Sequence, residues 1–142
     1  MRPVLPADWP VIEERLLHMK ARSPAPQMRH AEIGYAMAAL RARADSSQVV
    51  INDGYMILFD VGSPWYTKER FLIEELILRI GPSTDGVRGA IRCLDKLARL
   101  HECCAVAAGD TQVGYMVPHY EAEGFRVLGQ QLFKEIEHGV RP

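Results

Sequence analysis

A mixed α/β fold is what three features of this 142-residue sequence predict. Apolar residues recur at helical spacing in the N-terminal third, β-branched runs then flank an Asn-Asp-Gly turn, and helical spacing returns from Ile91. A chain of this length closes one hydrophobic core without metal or disulfide staples, so residues 1–142 are expected to form one domain. The 48% hydrophobic and 25% charged composition excludes disorder, since it offers enough apolar surface to offset chain entropy.

The elements follow in order. Asp8 precedes Trp9-Pro10, and Ile12, Leu16 and Met19 keep helical spacing, so Asp8 is placed to cap a first helix that tolerates proline in its opening turn. Ser23-Pro24-Ala25-Pro26 stops it. Ile33, Met37 and Leu40 mark a second helix, with Arg29, Arg41 and Arg43 as solvated charges on other faces. Val49-Val50-Ile51 and Tyr55-Met56-Ile57-Leu58-Phe59 then flank Asn52-Asp53-Gly54, the signature of a tight antiparallel hairpin.

Beyond the Gly62-Ser63-Pro64 break, residues 71–80 read as a central strand, because branched side chains and the Gly81-Pro82 stop outweigh a helical reading. Residues 81–89 read as a polar, glycine-bearing loop, and Ile91, Leu94, Leu97 and Ala98 as an amphipathic helix. Ala105-Val106-Ala107-Ala108 is a short buried-strand candidate. A helical piece passes Tyr120, and Phe125-Arg126-Val127-Leu128 and Gln131-Leu132-Phe133 read as two closing strands.

Charge excludes one class of partner. The 17 Lys and Arg balance 18 Asp and Glu, so no global field draws the protein onto nucleic acid. Cys93, Cys103 and Cys104 lack zinc-ligand spacing and include an adjacent pair, which predicts reduced thiols and a cytoplasmic setting. The N-terminus lacks the apolar run of a signal peptide, and no stretch approaches the ~20 apolar residues of a membrane span.

The strand, loop and helix over residues 81–94 suit a phosphate, because a helix N-terminus offers unpaired N–H groups and glycines allow close backbone approach. Many such connections carry glycines for structure alone. The Lys-Ser/Thr ending of a P-loop is absent.

The order of elements, together with Tyr120-Glu121-Ala122-Glu123-Gly124-Phe125, resembles the GCN5-related N-acetyltransferase superfamily and, more loosely, its small phage-encoded members. In that family a Tyr-x-x-x-Gly-Phe segment ends the fourth helix and enters the sixth strand. The resemblance covers nearly the whole chain and implies a mostly antiparallel sheet splayed near its middle, helices on both faces, and acetyl-CoA in the splay. The family's acyl-CoA loop, Gln/Arg-x-x-Gly-x-Gly/Ala, places best on Gly86-Val87-Arg88-Gly89-Ala90-Ile91, where Gly89 matches, Gly86 replaces the long polar residue and branched Ile91 replaces the small one. By the same resemblance Leu78, Arg79, Ile80 and Gly86 to Ala90 are the cofactor-binding candidates, with Arg88 able to pair with a phosphate.

Tyr120 is similar in position to the family's general acid, a phenol that stays protonated at neutral pH and can return a proton to the departing thiolate. Glu74 and Glu75 are the candidate bases. Adjacent strand residues point to opposite faces, so one of them faces the cleft, and Glu75 is preferred because its distance ahead of the Arg88-Gly89 loop resembles that of histone-acetylating members. Trp65 and Tyr66 either line an acceptor pocket or cover the core, with the core favoured.

The reading is an acetyl-CoA-dependent transfer to a primary amine of a small molecule or protein. The alternatives are a catalytically weak protein of the same fold that binds a protein partner, such as a phage accessory or host-enzyme modulator, and a virion component. The oligomeric state stays open, a dimer included.

Overall fold

The protein is described from a computed structural model covering residues 1–109 and 115–137. Strands β1 (Val49–Asn52), β2 (Tyr55–Gly62), β3 (Phe71–Arg79) and β4 (Ala105–Ala107) form one sheet in the order β1-β2-β3-β4. The first two junctions are antiparallel and the last is parallel. Helices α1 (Asp8–Arg22), α2 (Ile33–Asp45), α3 (Gly86–Leu100) and α4 (Val117–Ala122) cover it, with a 3-10 turn at Pro26–His30.

Both sheet faces are buried, which explains why β2 opens as a continuous apolar run instead of alternating with polar residues. Tyr55, Ile57 and Phe59 pack with Leu72 against Ala90, Ile91, Leu94 and Leu97 of α3. Met56 points the other way and joins Val49 and Ile51 against Ile12 and Leu16 of α1 and Met37 and Leu40 of α2. The first strand is extended at its open edge by Arg2, which exchanges two backbone hydrogen bonds with Ile51.

The hairpin turn forms as its residues dictate. Asp53 (φ 48°) and Gly54 (φ 79°) are consecutive left-handed residues, the geometry whose twist suits two antiparallel strands. Gly54 has a second duty. A Cβ on it would lie 2.2 Å from the Pro82 carbonyl oxygen, because the loop after β3 folds across the turn and the Ile80 and Gly81 N–H groups both donate to the Gly54 carbonyl.

Four expectations are corrected. Asp8 is the first residue of α1, after Ala7 at the cap; its carboxylate accepts from the Leu5 N–H and pairs with Arg2 instead of capping the helix. The loop ahead of α3 is shorter than residues 81–89, since the helix already begins at Gly86 and Gly89 lies within it. Residues 125–128 and 131–133 form no ladder with any described strand, so their apolar content does not become sheet, and Leu128 and Leu132 remain 88% exposed. Trp65 and Tyr66 do not cover the core: Trp65 is 96% exposed, outside the groove described below, and the two rings pack edge to face on each other.

Gly54→Ala combines a left-handed φ with a backbone collision, and is expected to cost well over about 1 kcal/mol in urea unfolding. An unchanged midpoint would show that residues 81 and 82 can move away from the turn at no cost.

Candidate functional site

The parallel pairing of β3 with β4 is brief. Phe71, Leu72 and Ile73 face Ala105, Val106 and Ala107, and β3 then runs on as Glu74 to Arg79 without β4 beside it. The sheet is thus split along the outer half of β3. A groove of about 590 Å³ lies at this split, walled by Arg15, His18, Met19 and Arg22 of α1, floored by Tyr55 and residues 74–79, and bordered by Val87 of α3 and by Met116, His119 and Tyr120.

A single extra residue in β3 decides which carboxylate faces α3. Leu58 pairs with Leu76 but Phe59 pairs with Glu74, so Glu75 is a β-bulge with no partner on β2. Strict alternation from Ile77 would put Glu75 on the α3 face. The bulge reverses the parity, so Glu74 stands opposite Phe59 on that face while Glu75 does not. Glu75 instead receives two 3.0 Å hydrogen bonds from Arg43 of α2, whose guanidinium also donates to the Phe59 carbonyl at 2.8 Å. Arg43 therefore holds both sides of the bulge.

Glu74 is 7% exposed and Tyr120 8%, and the Tyr120 hydroxyl donates to Glu74 Oε2 at 3.3 Å. Burying a carboxylate is costly unless donors surround it, which makes this pair a specified feature of the split. The Tyr-x-x-x-Gly-Phe segment explains how Tyr120 is held. Gly124 (φ 89°) takes the left-handed turn past α4, the Phe125 N–H returns to the Tyr120 carbonyl at 3.1 Å, and the two rings meet edge to face at 5.2 Å. Arg92 of α3 ties the same corner by a 2.9 Å bond to Glu123.

The start of α3 is the anion-binding candidate. Helical geometry leaves the N–H groups of Asp85, Gly86, Val87 and Arg88 without helical acceptors. Two are taken internally: Asp85 donates to the Asp53 carboxylate at 2.8 Å and Gly86 to Ser83 Oγ at 2.9 Å. Thr84 N–H and the Ser83 hydroxyl also donate to Asp53. These donors, the Thr84 N–H first, hold the Asp53 carboxyl below the usual carboxylate range. Val87 and Arg88 are left to present N–H groups outward, and Gly86 has open space where a Cβ would stand.

The other cofactor candidates divide by position. Leu78, Arg79 and Val87 line the groove, and Arg88 is exposed. Ile80 packs into the α1/α2 side of the core. Gly89 and Ala90 are buried; a Cβ on Gly89 would lie 2.6 Å from Asp85 Cβ, so its role is close packing under the helix start. Among the described residues no group of three His, Cys, Asp or Glu side chains is placed to hold a metal ion. None of the three cysteines is in a disulfide, and burial pushes the Cys93 thiol up. No helix of the described residues is long and apolar enough to cross a membrane.

Two features of the groove are absent from the sequence reading. The pairing of Glu74 with Tyr120 has no local signal, because a bulge leaves no residue signature in this strand. The row Arg15, His18 and Arg22 does have one, its spacing of three and four residues along α1.

Comparison with known proteins gives structural likeness alone. No family model and no curated protein matches the sequence. An acetyltransferase from Trypanosoma brucei superposes with a TM-score of 0.63 at 18% identity, over 95% of this chain and 97% of that one. A predicted acetyltransferase from Clostridium acetobutylicum, solved with acetyl-CoA, gives 0.57 at 16% identity over 89% and 87%. A transcriptional regulator from Bacillus halodurans C-125 gives 0.57 at 15% identity over 95% and 97%. The chain has the fold of these acetyltransferases, a four-stranded mixed sheet flanked by helices, and at such identities the likeness carries the fold and not the reaction.

A carboxyl whose folded pKa is depressed adds stability that is complete above its unfolded pKa and is lost as pH falls through the folded value. Asp53→Asn, which keeps the left-handed preference, is therefore expected to lower Tm at pH 7, with the gap to wild type closing below about pH 4. A gap of constant size across a pH series of thermal melts would refute a role for the Asp53 charge.

Proposed function

We propose that the protein transfers an acetyl group from acetyl-CoA to a primary amine, with the split of the sheet as its active site. The observation that carries this reading is the pairing of Tyr120 with Glu74 on the floor of the groove, beside an α3 start with two outward N–H groups. A thioester acyl transfer needs a group to take a proton from the attacking amine and one to supply a proton to the leaving thiolate. A carboxylate and a phenol in hydrogen-bond contact supply both.

In this scheme Glu74 receives the proton that the substrate ammonium must lose. Tyr120 donates its hydroxyl proton to the thiolate as the carbon–sulfur bond breaks, and recovers one from Glu74 through their hydrogen bond. Of the two protons the ammonium loses in becoming an amide, one passes by Glu74 and Tyr120 to the thiol and the other leaves to solvent. Glu74 is preferred to Glu75 as the base because Glu74 accepts from the Tyr120 hydroxyl on the groove floor, whereas the Glu75 side chain is held by Arg43. Val87 and Arg88 N–H groups with the Arg79 and Arg88 side chains would hold the phosphates of the co-substrate, and Leu78 and Val87 would flank its apolar arm.

One observation favours a second reading, a protein of this fold that binds a protein partner without turnover. Asp53 and Ser83 already occupy two of the four N–H groups at the start of α3, and a carboxylate there competes with a phosphate for the same donors. Calorimetric titration with acetyl-CoA, controlled with ADP, separates the two. Micromolar binding with a matching rise in Tm is expected, and no binding at millimolar ligand would transfer the case to the second reading.

Loss of the acid or base is expected to act on turnover. Tyr120→Phe and Glu74→Gln should each lower kcat by about 100-fold or more while acetyl-CoA affinity holds, and Glu75→Gln should lower it far less. Equal losses for Glu74→Gln and Glu75→Gln would reject the assignment of the base.

A further inference from the structure

We propose that the amine acceptor carries an anionic group, a phosphate or a carboxylate, and that Arg15, His18 and Arg22 of α1 bind it while Glu74 receives its amine. The inference rests on the transferase reading for the identity of the acceptor, and on the groove alone for the anion.

Residues 15, 18 and 22 fall within one narrow stripe of an α-helix, and all three line the same wall of the groove. All three are exposed, and the ion pairs among the described residues use Arg2, Arg29, His30, Arg43 and Arg92 but neither Arg15 nor Arg22. Of their carboxylate neighbours in sequence, Glu13 sits on another side of the helix, and Glu14 lies one turn ahead of His18 but does not line the groove. A basic last turn is ordinary compensation for the helix dipole and accounts for Lys20 and Arg22, but Arg15 lies in the middle of α1, beyond reach of that effect.

Across the groove the charges do not cancel the stripe. Arg79 adds a third guanidinium, which donates to the Gly81 carbonyl and not to a carboxylate. Of the two facing acids, Glu75 is ion-paired with Arg43, and Glu74 accepts from the Tyr120 hydroxyl. The groove thus presents a positive wall and one buried carboxylate on its floor. Field lines concentrate between walls of low dielectric constant, so this arrangement favours a ligand with an ammonium at one end and an anion at the other. Guanidinium forks suit the planar oxygens of phosphate and carboxylate, and His18 adds attraction when protonated.

The same stripe could instead serve the phosphates of acetyl-CoA, and the test separates the two sources. Binding of O-phosphoethanolamine and of ethanolamine is measured by calorimetry on the whole protein, with and without CoA, for wild type and for R15Q/R22Q. The phosphorylated amine is expected to bind at least about tenfold more tightly, with a preference that weakens as salt rises and is lost in R15Q/R22Q. Equal affinity for the two amines, or a preference that R15Q/R22Q retains, would overturn the proposal. So would a double variant that loses affinity for CoA instead of the phosphorylated amine, since the stripe would then belong to the co-substrate. A protein that binds the phosphorylated amine through the stripe but does not bind acetyl-CoA would keep the anion site and refute the transferase reading.

Discussion

The geometry of the site depends on one extra residue in β3. Without Glu75 in its bulge, β3 would run in even alternation against β2, and the residue on the α3 face beside Phe59 would be a different one. The bulge sets Glu74 under Tyr120. It also falls two residues beyond Ile73, the last position where β3 meets β4, so the change of face and the split of the sheet nearly coincide. Arg43 makes that irregularity permanent by bonding the Glu75 carboxylate on one strand and the Phe59 carbonyl on the other.

A second clamp fixes the far end of β3. The β1–β2 turn reaches across the sheet, where Gly54 accepts from the N–H groups of Ile80 and Gly81 and Asp53 collects the donors of Ser83, Thr84 and Asp85. The hairpin turn thereby sets the height at which α3 begins and determines which of its N–H groups remain outward. The donors that Asp53 and Ser83 leave unclaimed belong to Val87, which lines the groove, and to Arg88 beside it in sequence. The anchor of the fold and the candidate phosphate site therefore share one small set of backbone groups, and the strength of the first limits the second.

The cross-section of the groove follows from these two clamps. Its floor is the half of β3 that runs on past β4, its ends are α4 and the start of α3, and its charged wall is an exposed stripe of α1. Ile12 and Leu16 bury the other side of α1 against the sheet, which leaves Arg15, His18 and Arg22 aimed along the opening. Chemistry on the floor and charge on the wall are supplied by different layers of the fold.

Local pattern determined much of this protein. The hairpin follows from Asn52-Asp53-Gly54, the helices from the spacing of Ile12 and Leu16, of Met37 and Leu40, and of Ile91, Leu94 and Leu97, and the held tyrosine from the left-handed demand of Gly124 next to Phe125. These are properties of neighbours in the chain, so the chain displays them. The choice between Glu74 and Glu75 was legible only as a choice, because a bulge is decided by pairing with β2 and by Arg43, which is 32 residues away. Likewise the apolar runs near residues 125 and 132 read as strands but found no edge, since a strand exists only where another strand offers its backbone. What tertiary structure alone decided is which side chains meet across the split, because that depends on register and layer order, quantities that no stretch of sequence contains by itself.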